Sequence, residues 1–295
     1  MAEMSLLAAE NLMHEQVTLI TYATKPYYHQ QRLLAASARR VGISKHALWT
    51  DSRLKQTEFH RNNQEILNSP RGAGYWAWKP YLIKVELEAA SSGDFVFYYD
   101  VGHARWPHRV TESLVSILKW CEVENGGLFP GIYVPENGRN ARWTKRECFV
   151  QMNCDNPTYW NHPQIQATFS IWQKNPESIR IVDEWLKWCI TPGVITDAVS
   201  SSSVENFPDF VDHRHDQSIL TNILIRNGIR CYGRPDVPIV ETKDIRASKD
   251  INLVANVVAG NFQRVGALLF RRALMGFFRK VIWKIREVLP SRQPT

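Results

Sequence analysis

The chain has 295 residues, of which 44% are hydrophobic and 22% are charged, as in a soluble globular protein with one large domain or two small ones. Its net charge of +7 lies at one end. Eight Lys and Arg residues and a single acid, Glu287, follow residue 250, which leaves 28 basic and 28 acidic residues before it. A neutral body argues against a nucleic-acid partner.

Five cysteines without a CxxC spacing argue against a disulfide framework or a zinc site and favour a reducing compartment. The first 14 residues are acidic and lack the basic region of a signal peptide, so we interpret them as an N-terminal extension. The sequence has no run of about 18 apolar residues, so no membrane span is predicted. A cytoplasmic location is therefore expected.

The first predicted elements alternate between strand and helix. Residues 17–23, VTLITYA, are β-branched and apolar and predict a buried strand. The helical pattern over 29–41 ends at Gly42, and a second strand is predicted over 46–50, leading to Asp51.

The same alternation continues along the chain. A helix is predicted over 79–90, with Pro80 in its first turn, followed by an apolar strand over 95–99 that ends at Asp100. Further helices are predicted over 111–122, over 178–189 and over 216–226. This order predicts an α/β domain over residues 15–250 with a mostly parallel sheet. Ligands bind such sheets at the carboxyl ends of the strands, which is where Asp100 is expected.

Residues 71–81, RGAGYWAWKPY, combine two glycines, four aromatic side chains and a lysine that opens the helix over 79–90. Glycine lets the backbone approach a partner closely, and the amino end of a helix attracts anions. This grouping suits an anionic ligand that contains rings. A glycine turn packed beneath two tryptophans, without a ligand, explains the same residues equally well.

Together with GDFVFYYDVG at residues 93–102, this stretch resembles a pattern of bacterial and viral GT-A glycosyltransferases in the nucleotide-diphospho-sugar transferase superfamily, GxGYWxWKPY…GDxxxYxDxG. Three later segments fit the same family: WTKRE at 143–147, QIQA at 164–167 and HRHDQSIL at 213–220. The resemblance covers residues 17–238. It implies a single Rossmann-like GT-A domain that transfers a sugar from a nucleoside diphosphate, with a UDP-sugar as the expected donor. The acceptor would be a glycan or a lipid-linked sugar in surface polysaccharide synthesis.

The resemblance also implies roles for residues at the donor site. Thr21 and Tyr22 would hold the nucleoside, and Lys79 would lie near the diphosphate. Asp100 takes the place of the first acid in the metal-binding Asp-x-Asp motif, where Gly102 replaces the second acid.

A divalent metal at this position is a conditional expectation. Asp100, the diphosphate oxygens and His103 together offer ligands for Mn²⁺ or Mg²⁺. Alternatively, Lys79, Lys145 and Arg146 neutralise the diphosphate as fixed cations without a metal.

Asp216 and Gln217 resemble the DQD segment of glycogenin-like and bacterial galactosyltransferase-like enzymes and are the expected catalytic residues. Asp216 would contact sugar hydroxyls or act as a base, although capping of the following helix also explains an aspartate at that position. The expected lining of the sugar or acceptor pocket is Trp76, Trp78, His213 and His215.

Residues 251–295 form a basic tail whose helical projection separates apolar from cationic side chains. Phe278, Ile282 and Ile285 fall on one side, whereas Lys280 and Lys284 fall on the other. Such a helix suits the surface of an anionic membrane, which predicts peripheral attachment to the inner face; packing against the domain or a second subunit is the alternative.

Two other functions fit parts of the sequence. A sugar-1-phosphate nucleotidyltransferase would need a glycine-rich basic loop after the first strand, and residues 22–26, YATKP, do not provide one. A non-enzymatic peripheral membrane adaptor leaves the grouping of Lys79, Asp100 and Asp216 unexplained.

Overall fold

The computed structural model describes residues 16–40, 42–103, 106–107, 121, 126–133, 137–198, 204–229 and 232–233. The extension over 1–14, the amphipathic tail over 251–295 and all but Cys121 of the helix predicted over 111–122 lie outside these ranges.

The described strands build one main sheet and two small ones. They are β1 (Val17–Ala23), β2 (Lys45–Thr50), β3 (Phe95–Tyr99), β4 (Gly102–His103), β5 (Trp106–Pro107), β6 (Leu128–Phe129), β7 (Ile132–Tyr133), β8 (Ile165–Gln166), β9 (Phe169–Gln173) and β10 (Tyr232–Gly233). The main sheet has the order β2-β1-β3-β9-β6, and the small sheets have the orders β10-β7-β8 and β4-β5.

The main sheet is mixed but mostly parallel in direction. Strand β1 pairs in parallel with both β2 and β3, whereas β9 is antiparallel to β3 and to β6. Four of the five strands therefore point the same way. This arrangement confirms the predicted α/β class.

The described helices follow the strands in the predicted order. They are α1 (Tyr28–Arg40), α2 (Asp51–Lys55), α3 (Glu58–Asn62), α4 (Gln64–Leu67), α5 (Trp78–Ala89), α6 (Arg146–Gln151), α7 (Pro157–Trp160), α8 (Pro176–Cys189), α9 (Pro192–Ile195) and α10 (Asp216–Arg226). The amide of Ser178 donates to the side chain of Asn175, which caps α8. Within the described part of the chain, no helix has the length and apolar character needed to cross a bilayer.

Apolar side chains cover both faces of the main sheet, which explains the continuous apolar runs of β1 and β3. Ile20 of β1 belongs to one cluster with Leu82 of α5, and Leu19 belongs to the opposite cluster with Leu34 of α1. A strand covered on both faces needs no polar alternation. The core thereby fixes the strand ends at one edge of the sheet, where the candidate site lies.

Candidate functional site

The carboxyl ends of β2, β1 and β3 meet at one edge of the sheet and place two aspartates there. Asp51 follows β2 and Asp100 follows β3. Because adjacent strands lie about 4.8 Å apart, these positions are separated by about 10 Å along the edge. The hydroxyl of Tyr28, the first residue of α1, donates to Asp51 Oδ1 at 2.6 Å.

Asp100 is held by both its backbone and its side chain. Its amide donates to the carbonyl of Thr168 at 2.9 Å, which ties the end of β3 to the start of β9. The hydroxyl of Tyr98, a buried residue of the same strand, donates to Asp100 Oδ1. The carboxylate is therefore oriented before any ligand binds.

Lys79 and Asp216 form a buried ion pair beside Asp100. Lys79 Nζ lies 2.8 Å from Asp216 Oδ2 and donates to the carbonyl of Ala167 at 2.9 Å. Both residues are only 3% exposed. Burial lowers the pKa of Lys79. The negative charges of Asp216 and Asp100 raise it by more than burial lowers it, so the pKa lies above the usual value for lysine. The structure thus places the ammonium group of Lys79 against Asp216.

Burial raises the pKa of Asp216 to about 6, against the lowering effect of Lys79. A carboxyl group with a pKa near neutrality can accept a proton at physiological pH, as a general base must. Asp216 is the first residue of α10, and the N-cap residue is His215, whose side chain makes no capping hydrogen bond. Asp216 is therefore not the N-cap residue, although its carboxylate accepts from the amide of Gln217 in the first turn.

Gln217 lies next to Asp216 and is half-buried, in a hydrogen-bond network with the buried side chain of Gln164. Its Oε1 accepts from the amide of Ala167 at 3.2 Å, and its Nε2 donates to Gln164 Oε1 at 2.7 Å. Gln164 Nε2 in turn lies 3.0 Å from Ser218 Oγ and 3.3 Å from the carbonyl of Trp143. These contacts fix the amino end of α10 against the segment that precedes β9.

Residues 72–76, the glycine–aromatic turn, have left-handed backbone angles throughout, with φ between 50° and 101°. A left-handed conformation costs about 1–2 kcal/mol for each non-glycine residue, here Ala73, Tyr75 and Trp76. A Cβ on Gly72 would lie 2.3 Å from the Trp76 ring, and one on Gly74 would lie 2.7 Å from the backbone of Leu67. The glycines therefore serve close packing within the protein.

The glycine–aromatic turn packs on His215, the residue before Asp216. The His215 ring lies 4.9 Å from the ring of Tyr75 and 5.7 Å from that of Trp76, centre to centre. Its backbone angles, φ 48° and ψ −117°, are uncommon for a side-chain-bearing residue. Strained backbone of this kind persists only where the surroundings impose it, and it is frequent at functional sites.

The two histidines expected to line the pocket are buried, His213 at 2% and His215 at 1% exposure. His213 Nδ1 accepts from the Lys145 amide and Nε2 donates to the carbonyl of Val194, so both nitrogens have partners. Burial, with His215 and Lys145 as lesser causes, holds the pKa of His213 well below its usual value. The ring is therefore neutral at pH 7.

Thr21, Tyr22 and Trp78 are also buried. The Thr21 side chain lies within the core, and its hydroxyl makes no hydrogen bond with the described residues. Tyr22 stacks on Trp78 at 4.0 Å between ring centres, and Trp78 Nε1 donates to the carbonyl of Gly72. This stack links the end of β1 to the glycine–aromatic turn and to the start of α5.

Gly102 has φ 78°, a left-handed conformation that favours glycine at the position where the Asp-x-Asp motif has its second acid. His103 belongs to β4, and its side chain lies outside the described part of the structure. Among the described residues, no three His, Cys, Asp or Glu side chains are grouped to hold a metal ion. A divalent ion at Asp100 would therefore depend on oxygens from the ligand.

Sequence reasoning overlooked Asp51, Tyr98 and Gln164 as site residues. The sequence did indicate that Asp51 lies at the carboxyl edge of the sheet, because Asp51 follows a predicted strand as Asp100 does. Tyr98 is the tyrosine of the pattern GDxxxYxDxG, to which no role was given, and it lies two residues before Asp100 and thus on the same face of β3. Gln164 was part of the QIQA segment, but its contacts with Gln217 and Ser218 depend on residues that are distant in the chain.

Comparison with known proteins adds no family to these observations. No family model matches the chain, and no curated protein sequence matches it.

Proposed function

We propose that the chain is a GT-A glycosyltransferase that transfers a sugar from a UDP-sugar to a glycan or lipid-linked acceptor in surface polysaccharide synthesis. One observation carries the proposal: Asp100, Lys79 and Asp216 come from three separate segments and meet at the carboxyl edge of the sheet. Ligands bind at this edge in open α/β sheets. The ordered motifs that resemble the GT-A family supply the reaction type.

The donor would lie along the edge from Asp51 to Asp100. The nucleoside would occupy the Asp51 end, where Tyr22 and Tyr28 are nearby. The diphosphate would lie near Asp100, within reach of the positive charge of Lys79. The sugar would then be next to Asp216 and Gln217, which would contact its hydroxyls or take a proton from the acceptor.

The described residues do not form a metal site by themselves. A Mn²⁺ or Mg²⁺ ion would therefore be held by Asp100 and the oxygens of the diphosphate together. Such an ion would neutralise charge on the leaving nucleoside diphosphate. Without it, Lys79, whose positive charge interacts with Asp100, would provide the compensation.

A thermal-shift panel of nucleotide sugars, with and without Mn²⁺, tests the proposal on the full chain. A UDP-sugar at one hundred times its Kd stabilises the folded state by about 2.7 kcal/mol, which corresponds to about 5–10 °C in Tm. Asp100→Asn should remove most of this shift. Asp94→Asn is the matched control, because Asp94 lies at the opposite end of β3 and its carboxylate is 3.9 Å from the ammonium group of Lys45.

The proposal is refuted if no nucleotide sugar raises the Tm of the wild type. A shift that survives in Asp100→Asn and needs no metal would remove Asp100 from the donor site while leaving the fold assignment intact.

We also propose that the basic tail binds an anionic membrane, which would place the cytoplasmic enzyme beside a lipid-linked acceptor. Deletion of the residues after Gly260 should move the protein from the membrane fraction to the soluble fraction. An unchanged distribution would contradict this part.

A further inference from the structure

Two arginines that the proposed chemistry does not use lie against the ring of Trp143. The guanidinium carbon of Arg214 is 4.6 Å from the ring centre, and that of Arg142 is 5.9 Å away. A cation over an aromatic face gains attraction without using its N–H donors. Both arginines therefore keep donors for another partner.

Neither arginine has an ion pair shorter than 4.0 Å among the described residues, and Asp209, whose carboxylate feels the charge of Arg142, is already paired with Arg139. No carboxylate of the described residues lies within 4.0 Å of the Arg142 guanidinium, and Arg142 Nε is buried without a hydrogen-bond partner among them. Arg214 reaches one acid, Asp212, at 4.0 Å, and Asp212 already accepts two shorter bonds from Arg71. A buried donor without a partner is costly, which favours a ligand that supplies an acceptor.

The arginines stand on a rigid backbone. The amide of Val211 donates to the carbonyl of Arg142 at 2.8 Å, and the amide of Arg214 donates to the carbonyl of Trp143 at 2.9 Å. The hydroxyl of Ser218 also donates to the Trp143 carbonyl at 2.7 Å. The two segments are thus held side by side, so ligand binding would require little ordering of the backbone.

The Trp143 cluster, which consists of Trp143, Arg142 and Arg214, is connected to the proposed catalytic residues by hydrogen bonds that do not pass through Asp100. From Asp216 the contacts lead through Lys79 towards Asp100, whereas from Gln217 they lead through Gln164 to the Trp143 carbonyl. A transferase must hold donor and acceptor on either side of the reacting carbon. If the donor lies along the edge that ends at Asp100, the Trp143 cluster, which is linked to Gln217 by a separate set of hydrogen bonds, is available to the acceptor.

We infer that Arg142 and Arg214, held on Trp143, form an anion subsite that binds a phosphate or carboxylate group of the acceptor. This inference rests on the proposed glycosyltransferase function. Arginine suits both groups because its planar donors match their oxygen pairs. The acceptor would therefore be a phosphorylated glycan, a lipid-linked sugar phosphate or a glycan that contains a uronic acid.

Isothermal titration calorimetry on the full chain at low ionic strength tests the subsite, with inorganic phosphate and glucuronate as separate probes. Arg142→Gln and Arg214→Gln should each weaken binding of the preferred probe by about tenfold. Arg180→Gln is the matched control, since Arg180 is an exposed arginine on α8 that pairs with Glu177. The stronger probe identifies phosphate or carboxylate as the recognised group.

The same variants should keep the Tm shift given by a UDP-sugar, because the subsite serves the acceptor. The inference is overturned if the wild type binds neither probe, if the double variant R142Q/R214Q binds as the wild type does, or if that variant loses the UDP-sugar shift. If no UDP-sugar stabilises the wild type, the proposed function fails, while arginine-dependent binding of phosphate still supports an anion site.

Discussion

Replacement of Lys79 by methionine removes the buried positive charge that faces Asp216 and keeps a side chain of similar length. The two charged atoms are 2.8 Å apart, and both residues are 3% exposed. At an effective dielectric constant of about 20, their attraction is about 6 kcal/mol, part of which offsets the cost of burying the two charges. Breaking such a pair by removing one partner costs about 3–5 kcal/mol of unfolding free energy.

Chemical denaturation at pH 7 measures this loss, and a double-mutant cycle with Asp216→Asn isolates the coupling between the two residues. Lys84→Met is the matched control on the same helix. Lys84 pairs with Asp183 at 2.6 Å but is 33% exposed, so its replacement should cost less than about 1 kcal/mol.

The pH dependence gives an independent signature of the pair. Burial raises the folded-state pKa of Asp216 from 3.8 to about 6, so the folded protein binds the proton more tightly than the unfolded chain does. The contribution of this group to stability therefore falls as pH rises from about 4 to 6, by about 3 kcal/mol in total, and is constant above that range.

Without Lys79, the folded-state pKa of Asp216 should rise further, because the lowering effect of the ammonium group is lost. The decline in stability should then continue above pH 6 at up to about 1.4 kcal/mol per pH unit. The stability difference between the wild type and Lys79→Met should accordingly grow from pH 6 to pH 8. A constant difference, together with additive effects in the cycle, would refute the buried pair.

Three further outcomes are expected. Gly74→Ala should lower the free energy of unfolding by at least about 2 kcal/mol, because it adds a Cβ 2.7 Å from the backbone of Leu67 at φ 101°. Gly93→Ala, at φ 87° with open space around it, should lower it by about 1 kcal/mol. The denaturant midpoints of the two variants test this difference. Gln164→Leu should lower the free energy of unfolding by about 1–3 kcal/mol, because it leaves buried hydrogen-bond partners unsatisfied. Gln151→Leu is the control, since Gln151 is exposed, and equal losses in the two variants would contradict the network. Thiol labelling followed by mass spectrometry should leave four buried cysteines of the native protein unmodified, namely Cys121, Cys148, Cys154 and Cys189. Early labelling of any of them would contradict its burial.

The sequence by itself determined the local elements near the site. The apolar runs that end at Ala23 and Tyr99 form β1 and β3, and the helix predicted over 216–226 has those bounds in the structure. These features depend on periodicity, turn residues and helix ends, which act within a few residues of one another. The position of Asp100 at the carboxyl edge followed from the same reasoning, because parallel strands align their ends.

The sequence did not indicate how the segments meet. Lys79 and Asp216 are separated by more than a hundred residues, and their pairing depends on how α5 and α10 pack around the segment before β9. The antiparallel direction of β9 and the left-handed glycine–aromatic turn against His215 likewise result from distant contacts. Only the tertiary structure decided these features, because burial of a charge or a strained residue is stable only when remote parts of the chain compensate for it.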